Sequence, residues 1–310
     1  MRALITGGTG FAGRHLAAHC RAAGDDVVVL ARSAPAEARV DLGDAAATLR
    51  AVREAAPGAV YHLAAQAHVG RSWAEPEATL LGNLTTTRHV LEAVREAAPA
   101  AVVVSVSSGE VYGPPDELPV TEDAPLRPQN PYAVSKAAAD LLGGFYADAH
   151  GLRVVRARAF NHAGAGQEPV YALSAFAKQV AEGMAAGLDP VPVATGAAAT
   201  RRELTAVEDV VRAYRLLALR GEAGVFNVCS GVTWSARELV ALIGEVAGVA
   251  VEHVVDPALV RANEVPEVRG SSARLRSATG WAPATDVREV VDRALTWWRA
   301  AAGGAAPGST

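Results

Sequence analysis

Lysine is almost missing from this chain. Of its 29 basic residues only Lys136 and Lys178 are lysine; the rest are arginine. Cysteine is equally scarce. Cys20 and Cys229 stand alone in 310 residues, which excludes a disulfide framework and suits a reducing compartment. Both thiols are expected to be buried small hydrophobes. No apolar run is long enough to cross a bilayer, so no membrane partner is expected. No cationic excess exists: the formal net charge is −4, which argues against nucleic-acid binding. No His/Cys/Asp cluster has metal-ligand spacing, so no metal is expected. No Gly-x-Ser-x-Gly elbow appears, which disfavours acyl transfer. The opening residues run straight into a strand and a glycine loop, leaving no room for a signal peptide, and a cytoplasmic setting is expected.

What is present is a chain that is 50% hydrophobic, enough for one large or two closely joined domains. Short β-branched runs at 3–6, 27–30, 59–63, 101–106 and 153–157 read as strands. Alanine-rich helical patterns alternate with them near 12–23, 45–56, 78–97 and 132–150. That alternation predicts an α/β fold, a Rossmann-type doubly wound parallel sheet with helices on both faces. After Phe160 the order loosens. A helix is expected near 171–185, a Gly/Pro/Thr-rich stretch over 186–202, and a helix near 207–219 with a strand at 225–228 that returns to the sheet. The remainder reads as two helices around a loop-and-strand segment. The expected division is therefore a dinucleotide-binding domain over 1–160 plus about 205–228, a smaller mixed α/β C-terminal substrate lobe over 161–204 and 229–300, and a flexible tail over 301–310. The helices near 78–97 and 132–150 carry apolar faces that suit either packing on the sheet or a homodimer interface.

Gly7, Gly10 and Gly13 have G-x-x-G-x-x-G spacing between the first strand and the first helix. Glycine permits the tight turn and lets backbone amides approach a pyrophosphate at the helix N-terminus. An NAD-specific site places an acid at the end of the second strand, on the ribose 2′-hydroxyl. Here the strand runs into Arg32, and a guanidinium suits the 2′-phosphate of NADP(H), favoured over NAD(H). Asp41 and Leu42 fall where a later strand end meets the adenine.

Tyr132 and Lys136 are four residues apart, one above the other on a helix face. In a chain that otherwise uses arginine, a retained lysine points to a need for a compact ammonium. An ammonium beside a phenol lowers its pKa from about 10, so the phenol exchanges a proton with a sugar hydroxyl or ketone near working pH.

Together with the glycine loop, the segments His62-Leu-Ala-Ala-Gln66, Asn83, Ser107-Ser108-Gly109-Glu110-Val-Tyr112-Gly113, Tyr132-x-x-x-Lys136 and Arg158-Ala-Phe-Asn161 resemble the extended short-chain dehydrogenase/reductases that act on nucleotide sugars. The resemblance covers nearly the whole chain. Within that family the likeness is nearest to the reductases of GDP-4-keto-6-deoxy-mannose, on 160–167, 174–179, 209–214, 226–231 and 261–266, although GDP-mannose 4,6-dehydratases share several of these segments. The resemblance implies Tyr132 as proton donor, Lys136 as its modulator and a ribose clamp, Ser108 as the hydroxyl on the reacting oxygen, and Glu110 as a further catalytic candidate. It implies that Phe11, Ala12, Leu63, Ala64, Ala65 and Asn83 join the glycines at the cofactor. Val69, Ser107, Asn161, Lys178, Arg202, Arg261 and Glu264 are implied at the sugar nucleotide.

The sequence departs from the family at Arg202-Glu203-Leu204-Thr205-Ala206-Val207, where Arg-Asp-Phe-Thr-Asp-Val is frequent; an aromatic and one carboxylate are lost. Ala159 and Ala165 replace usual prolines. Three chemistries share the remaining constellation: reduction of a C4 ketone, 4,6-dehydration and 4-epimerisation. Hexose-dehydrating relatives place Asp-Glu or Ser-Glu after the catalytic hydroxyl residue, and this chain has Gly109-Glu110. His62 reads as structural, while His68 and His162 are candidates to line the pocket. The expectation is an NADP(H)-dependent reductase, with dehydratase or epimerase as the alternative. A non-catalytic cofactor-binding protein is the remaining one, with no need of a proton donor.

Overall fold

The computed structural model describes residues 1–32, 36–260 and 265–303. The chain divides into two compact units: Met1–Phe160 with Val210–Val228 and Gly270–Ala282, and Asn161–Asp209 with Cys229–Arg269 and Pro283–Thr310.

The first unit alternates β1 (Arg2–Thr6), α1 (Phe11–Ala22), β2 (Asp26–Ala31), β3 (Ala38–Arg39), α2 (Ala45–Ala55), β4 (Ala59–His62), α3 (Val69–Ala74), α4 (Pro76–Ala97), β5 (Val102–Ser108), α5 (Pro131–His150) and β6 (Arg153–Ala159). The chain then runs through β7 (His162–Ala163), α6 (Ala172–Ala185), β8 (Val191–Thr195), β9 (Arg201–Glu203), β10 (Thr205–Ala206), α7 (Val207–Arg220), β11 (Gly224–Val228), β12 (Thr233–Ser235), α8 (Ala236–Ala247), β13 (Val251–Val255), β14 (Glu267–Val268), α9 (Ala273–Thr279) and α10 (Val287–Ala302).

The main sheet has seven strands in the order β11-β6-β5-β4-β1-β2-β3, all paired in parallel. The expected parallel α/β sheet is therefore present, with β11 returning to its edge. Strand order reverses between β1 and β4. This is the switch point at whose carboxyl edge doubly wound sheets hold ligands. The central strands are buried on both faces, and they carry near-continuous valine, as in Val102, Val103 and Val104. One side of the sheet packs on α2, α4 and α5 through Leu4, Val60, Val94 and Val103.

In the second unit α6, α8 and α10 enclose a core of Phe176, Val180, Ile243, Val291 and Leu295. Three features differ from the sequence expectation. The Gly/Pro/Thr-rich stretch contains β8, which pairs in parallel with β13; Val191 and Val193 are buried while Pro192 between them is exposed. A proline is tolerated there because β8 has a single strand partner. The C-terminal region holds three helices, not two, and α10 continues to Ala302. Residues 270–282, expected in the substrate lobe, join the first unit. Ser271 donates its amide to the Val120 carbonyl at 2.8 Å, and Trp281 is buried. Among the described residues, no helix is long and apolar enough to cross a membrane.

Candidate active site

The glycine loop forms because β1 delivers the chain into a turn that only small residues fit. Gly7 has φ +69°, and a Cβ there would lie 2.7 Å from the Ala64 nitrogen. At Gly13 a Cβ would lie 2.2 Å from the Gly7 carbonyl oxygen. The loop, α1 and the segment after β4 therefore meet backbone to backbone, with Leu63 and Ala64 against the turn. Gly10 is the N-cap of α1 and supplies no side-chain cap. Phe11 and Ala12 start the helix. A pyrophosphate fits this uncapped terminus, where the first-turn amides point outward and the helix dipole favours negative charge.

At the carboxyl end of β2, Arg32 is exposed. The nearest acid along the described chain is Glu37, and it is committed. Its carboxylate accepts from the Val29 amide at 3.1 Å and from Arg21. Asp41 accepts from the Gly43 amide at 2.9 Å. Leu42 is buried, and its carbonyl accepts from His89 Nδ1 at 2.8 Å.

A continuous row of hydrogen bonds crosses from the glycine loop to α5. The Ala64 amide donates to Thr6 Oγ1 at 3.4 Å. His62 lies between Thr6 Oγ1 at 2.8 Å from its Nδ1 and Thr87 Oγ1 at 3.1 Å from its Nε2. Thr87 spends its hydroxyl proton on the Asn83 carbonyl at 2.8 Å, so Nε2 carries the imidazole proton and Nδ1 accepts from Thr6. Burial, with Lys136 nearby, pushes the His62 pKa down to about 3. The ring is neutral and structural, as its sequence context implies. The Asn83 side chain accepts from the Gln66 amide at 2.8 Å and donates to the Gln66 carbonyl at 3.1 Å and to Ser135 Oγ at 2.8 Å. Ser135 in turn donates to the Tyr132 carbonyl at 2.7 Å.

The helix that carries Tyr132 starts at an Asn130 N-cap, whose Oδ1 accepts from the Ala133 amide, with Pro131 in its first turn. Tyr132 and Lys136 are both buried. The Lys136 ammonium donates to the Val106 carbonyl at 2.6 Å. Burial lowers its pKa from 10.5 to about 8, against the opposing pull of Asp140 one turn further on. Ser108 ends β5 and caps the following 3-10 turn, its Oγ accepting from the Glu110 amide at 3.2 Å. Glu110 is exposed and accepts from Asn130 Nδ2 at 3.2 Å. Ser107 is buried, with its hydroxyl lacking a hydrogen-bond partner. Such an orphan at the carboxyl edge of β5 suits a ligand that supplies the missing bond. These features fit a nicotinamide dinucleotide: an uncapped glycine cradle for its phosphates, a lysine ammonium with two donors beyond the one given to Val106, and an unsatisfied hydroxyl.

Two contributors were invisible in the sequence reading. Asp140 is fully buried and holds Arg158 through both oxygens at 2.9 Å. Arg158 also donates to Tyr112 Oη at 2.9 Å, and Tyr112 donates to Asn227 Oδ1 at 2.7 Å. The available signal was a charge set four residues after Lys136 on an otherwise apolar helix face. Ser135, between Asn83 and Tyr132, was also missed.

In the second unit, Asn161 accepts from the Thr205 amide at 3.0 Å through its carbonyl. Arg202 donates to the Arg201 and Val265 carbonyls at 2.9 and 2.7 Å. Lys178 pairs with Glu182 at 2.7 Å and lies over the Trp298 ring. Glu203 is buried and accepts from the Gly231 amide at 2.8 Å. His162 sits on β7 in register with Thr205. Back in the first unit, His68 caps α3, Nδ1 accepting from the Arg71 amide at 2.8 Å, and Val69 follows it as the first helical residue. Arg261 and Glu264 lie outside the described residues. Neither cysteine is in a disulfide, and both are buried.

A chain with this switch-point cradle and this Ser-Tyr-Lys set belongs to the GDP-mannose 4,6-dehydratase family of extended short-chain dehydrogenase/reductases, whose model matches residues 4–294. The chain is 38% identical over 300 residues to a GDP-6-deoxy-D-mannose reductase of Pseudomonas aeruginosa, covering 96% of this chain and 97% of that one. Its fold is similar to that of RMD from Pseudomonas aeruginosa complexed with NADPH, with TM-score 0.88 and 37% identity over 97% of this chain and 100% of that one. It is also similar to a Thermus thermophilus UDP-glucose 4-epimerase in complex with NAD, with TM-score 0.85 and 33% identity over 97% and 100% of the two chains. The chain is a nicotinamide-dependent enzyme of this family.

Proposed function

We propose that this enzyme reduces the C4 ketone of a nucleotide-linked 4-keto-6-deoxy sugar, GDP-4-keto-6-deoxy-mannose, with NADPH. The observation that carries the choice among the family's reactions is at position 109. A Cβ on Gly109 would lie 2.9–3.0 Å from the Phe160 ring, so the Asp or Ser that hexose-dehydrating relatives place there is absent and has no room. Glu110 is left as the only carboxylate of the turn, and it is bound to the cap of α5. The similarity to a GDP-6-deoxy-D-mannose reductase points the same way.

When bound, the cofactor supplies hydride to the ketone carbon. Ser108 and Tyr132 place hydroxyls at the ketone oxygen, which gains negative charge as the carbon is reduced. Tyr132 delivers the proton to that oxygen, and Lys136 stabilises the phenolate left behind. Asn161, Lys178 and Arg202, with Arg261 and Glu264, bind the sugar nucleotide and supply remote binding energy that orients the ring. Arg32 selects the 2′-phosphate, with Glu37 tied away and no carboxylate offered to a free 2′-hydroxyl among the described residues near it. The enzyme is a cytoplasmic homodimer. Val134, Leu141 and Phe145 form an exposed apolar stripe on α5 beside exposed Leu81 of α4, a face that suits an isologous contact with a second copy.

The test is a stoichiometric assay. Purified protein with NADPH and the GDP-linked keto sugar should consume one NADPH per product. Oxidised cofactor that stays bound through turnover, is released only on denaturation and is never consumed would replace this reading with an epimerase or dehydratase. Tyr132→Phe should abolish turnover and retain cofactor binding; unchanged turnover refutes the role given to Tyr132.

A further inference from the structure

We propose that Asp140 is a positioning residue for the reaction: its carboxylate, fixed from behind by Arg158, is the counter-charge that keeps Lys136 an ammonium while Tyr132 gives up its proton. The inference rests on the roles assigned above to Tyr132 and Lys136.

Asp140 follows Lys136 by four residues on α5, so the two side chains share one face. Its side chain is fully buried, and both oxygens are taken by Arg158, Nε and Nη2 each at 2.9 Å. Arg156 approaches one of these oxygens at 3.4 Å. A carboxylate this deep is costly to bury unless paired, and Arg158 fulfils that condition from β6. The guanidinium is itself fixed by Tyr112 Oη and by the Glu122 carbonyl at 3.2 Å. The carboxylate therefore has one position, one helical turn from the ammonium.

The surroundings leave Asp140 as the anion that acts on Lys136. From β4, His62 faces the ammonium as a neutral ring. From β5, the Val106 carbonyl accepts one proton. From β6, Arg156 and Arg158 are cations turned to Asp140. The 3-10 turn gives Tyr112, which burial pushes up to about 12, so it stays a phenol. From α4, Asn83 is an uncharged amide, and the Glu92 carboxylate is held by Tyr146 and Arg95. From α7, Tyr214 is a buried phenol whose pKa is raised, first by burial and then by Tyr132. Glu122, the other buried carboxylate, accepts from the Asn227 amide at 2.8 Å and pairs with Arg274. Without Asp140 the desolvated ammonium would lose its proton at lower pH.

The experiment breaks the same ion pair from each end. The pH profile of kcat for NADPH-dependent reduction is measured for the wild type, Asp140→Asn, Arg158→Gln and the double variant, with thermal unfolding followed alongside. A unit charge one helical turn away, screened as in a protein interior, is worth about one to two pH units. Asp140→Asn should move the alkaline limb down by that amount, and so should the double variant, which removes the Arg158 guanidinium along with its carboxylate partner and covers the case in which the single variant does not fold. Arg158→Gln keeps the carboxylate; it should lose stability without moving the limb down. A purely structural ion pair predicts the same profile for all four proteins. Superimposed profiles for the wild type and either protein lacking the carboxylate overturn the proposal. If they superimpose while Tyr132→Phe is inactive, this inference alone falls; if Tyr132→Phe still turns over, the parent reading falls.

Discussion

Replacing Lys136 by methionine should make the ligand-free protein more stable while abolishing its activity. Methionine keeps the length and flexibility of the stem and removes the charge. In the folded protein, burial depresses the lysine pKa from 10.5 to about 8. That displacement corresponds to about 3 kcal/mol of destabilisation of the charged form. Losing the hydrogen bond to the Val106 carbonyl takes back about 1 kcal/mol. The net gain is about 2 kcal/mol, which for a domain of this size raises the melting temperature by roughly 4–8 °C. The pH dependence follows from the same displacement. Below pH 8 the wild-type lysine is protonated in both folded and unfolded chains, so the folded state carries the full cost. Between about 8 and 10.5 the unfolded chain binds more protons than the folded one, so the wild type gains stability as pH rises and the advantage of the variant shrinks. Circular-dichroism melts of both proteins without cofactor, at pH 7 and through that window, measure this directly. A folded variant that melts at or below the wild type at pH 7, or a gap that does not close toward pH 10.5, refutes the argument that Lys136 is held charged at a cost in stability for the sake of chemistry.

Gly13→Ala should weaken NADPH binding by at least about tenfold, because its Cβ meets backbone at 2.2 Å and no side chain can yield; titration of cofactor fluorescence reads this, and near-native affinity would remove the cradle from the binding site. Arg32→Glu should swing the ratio of kcat/KM for NADPH over NADH by about ten- to a hundredfold toward NADH, the worth of one charge-assisted contact; an unchanged ratio would assign the 2′-phosphate to other residues. Phe145→Asp should convert dimer to monomer in sedimentation velocity, since the side chain is 55% exposed in the single chain and a charge at the centre of an apolar contact opposes association. A monomeric wild type would remove the interface.

The parallel sheet was legible because buried parallel strands are runs of valine and alanine that stand out from amphipathic helices. The two-residue β3 and six-residue α3 were not. They are too short for any periodicity, and they form because β2 and α4 are already there to support them. β8 was hidden by Pro192, and 270–282 was misassigned because the bonds that draw it to the first unit, such as Ser271 to Val120, join residues far apart in the chain. At the site, Gly7, Gly13, Ser108, Tyr132 and Lys136 were visible because their spacing is local. Arg158 and Asp140 were not paired in advance, since the ion pair spans β6 and α5. Nor did the sequence show Glu37 folding back onto the Val29 amide, or the Phe160 ring filling the space over Gly109.

The row of hydrogen bonds through His62 has a direction. Each hydroxyl along it owns one proton and has already assigned it, so the polarity runs unbroken from the Ala64 amide, through the imidazole, to the Asn83 carbonyl. A second proton on the ring would aim two donors at one another across Thr6, and the series would have to reverse or part. With the imidazole held neutral down to about pH 3, acidification over the ordinary physiological range leaves this latch shut. His62 itself therefore adds no titration to turnover in that range, and the hydrogen bonds it holds between Thr6 and Thr87 keep one direction throughout.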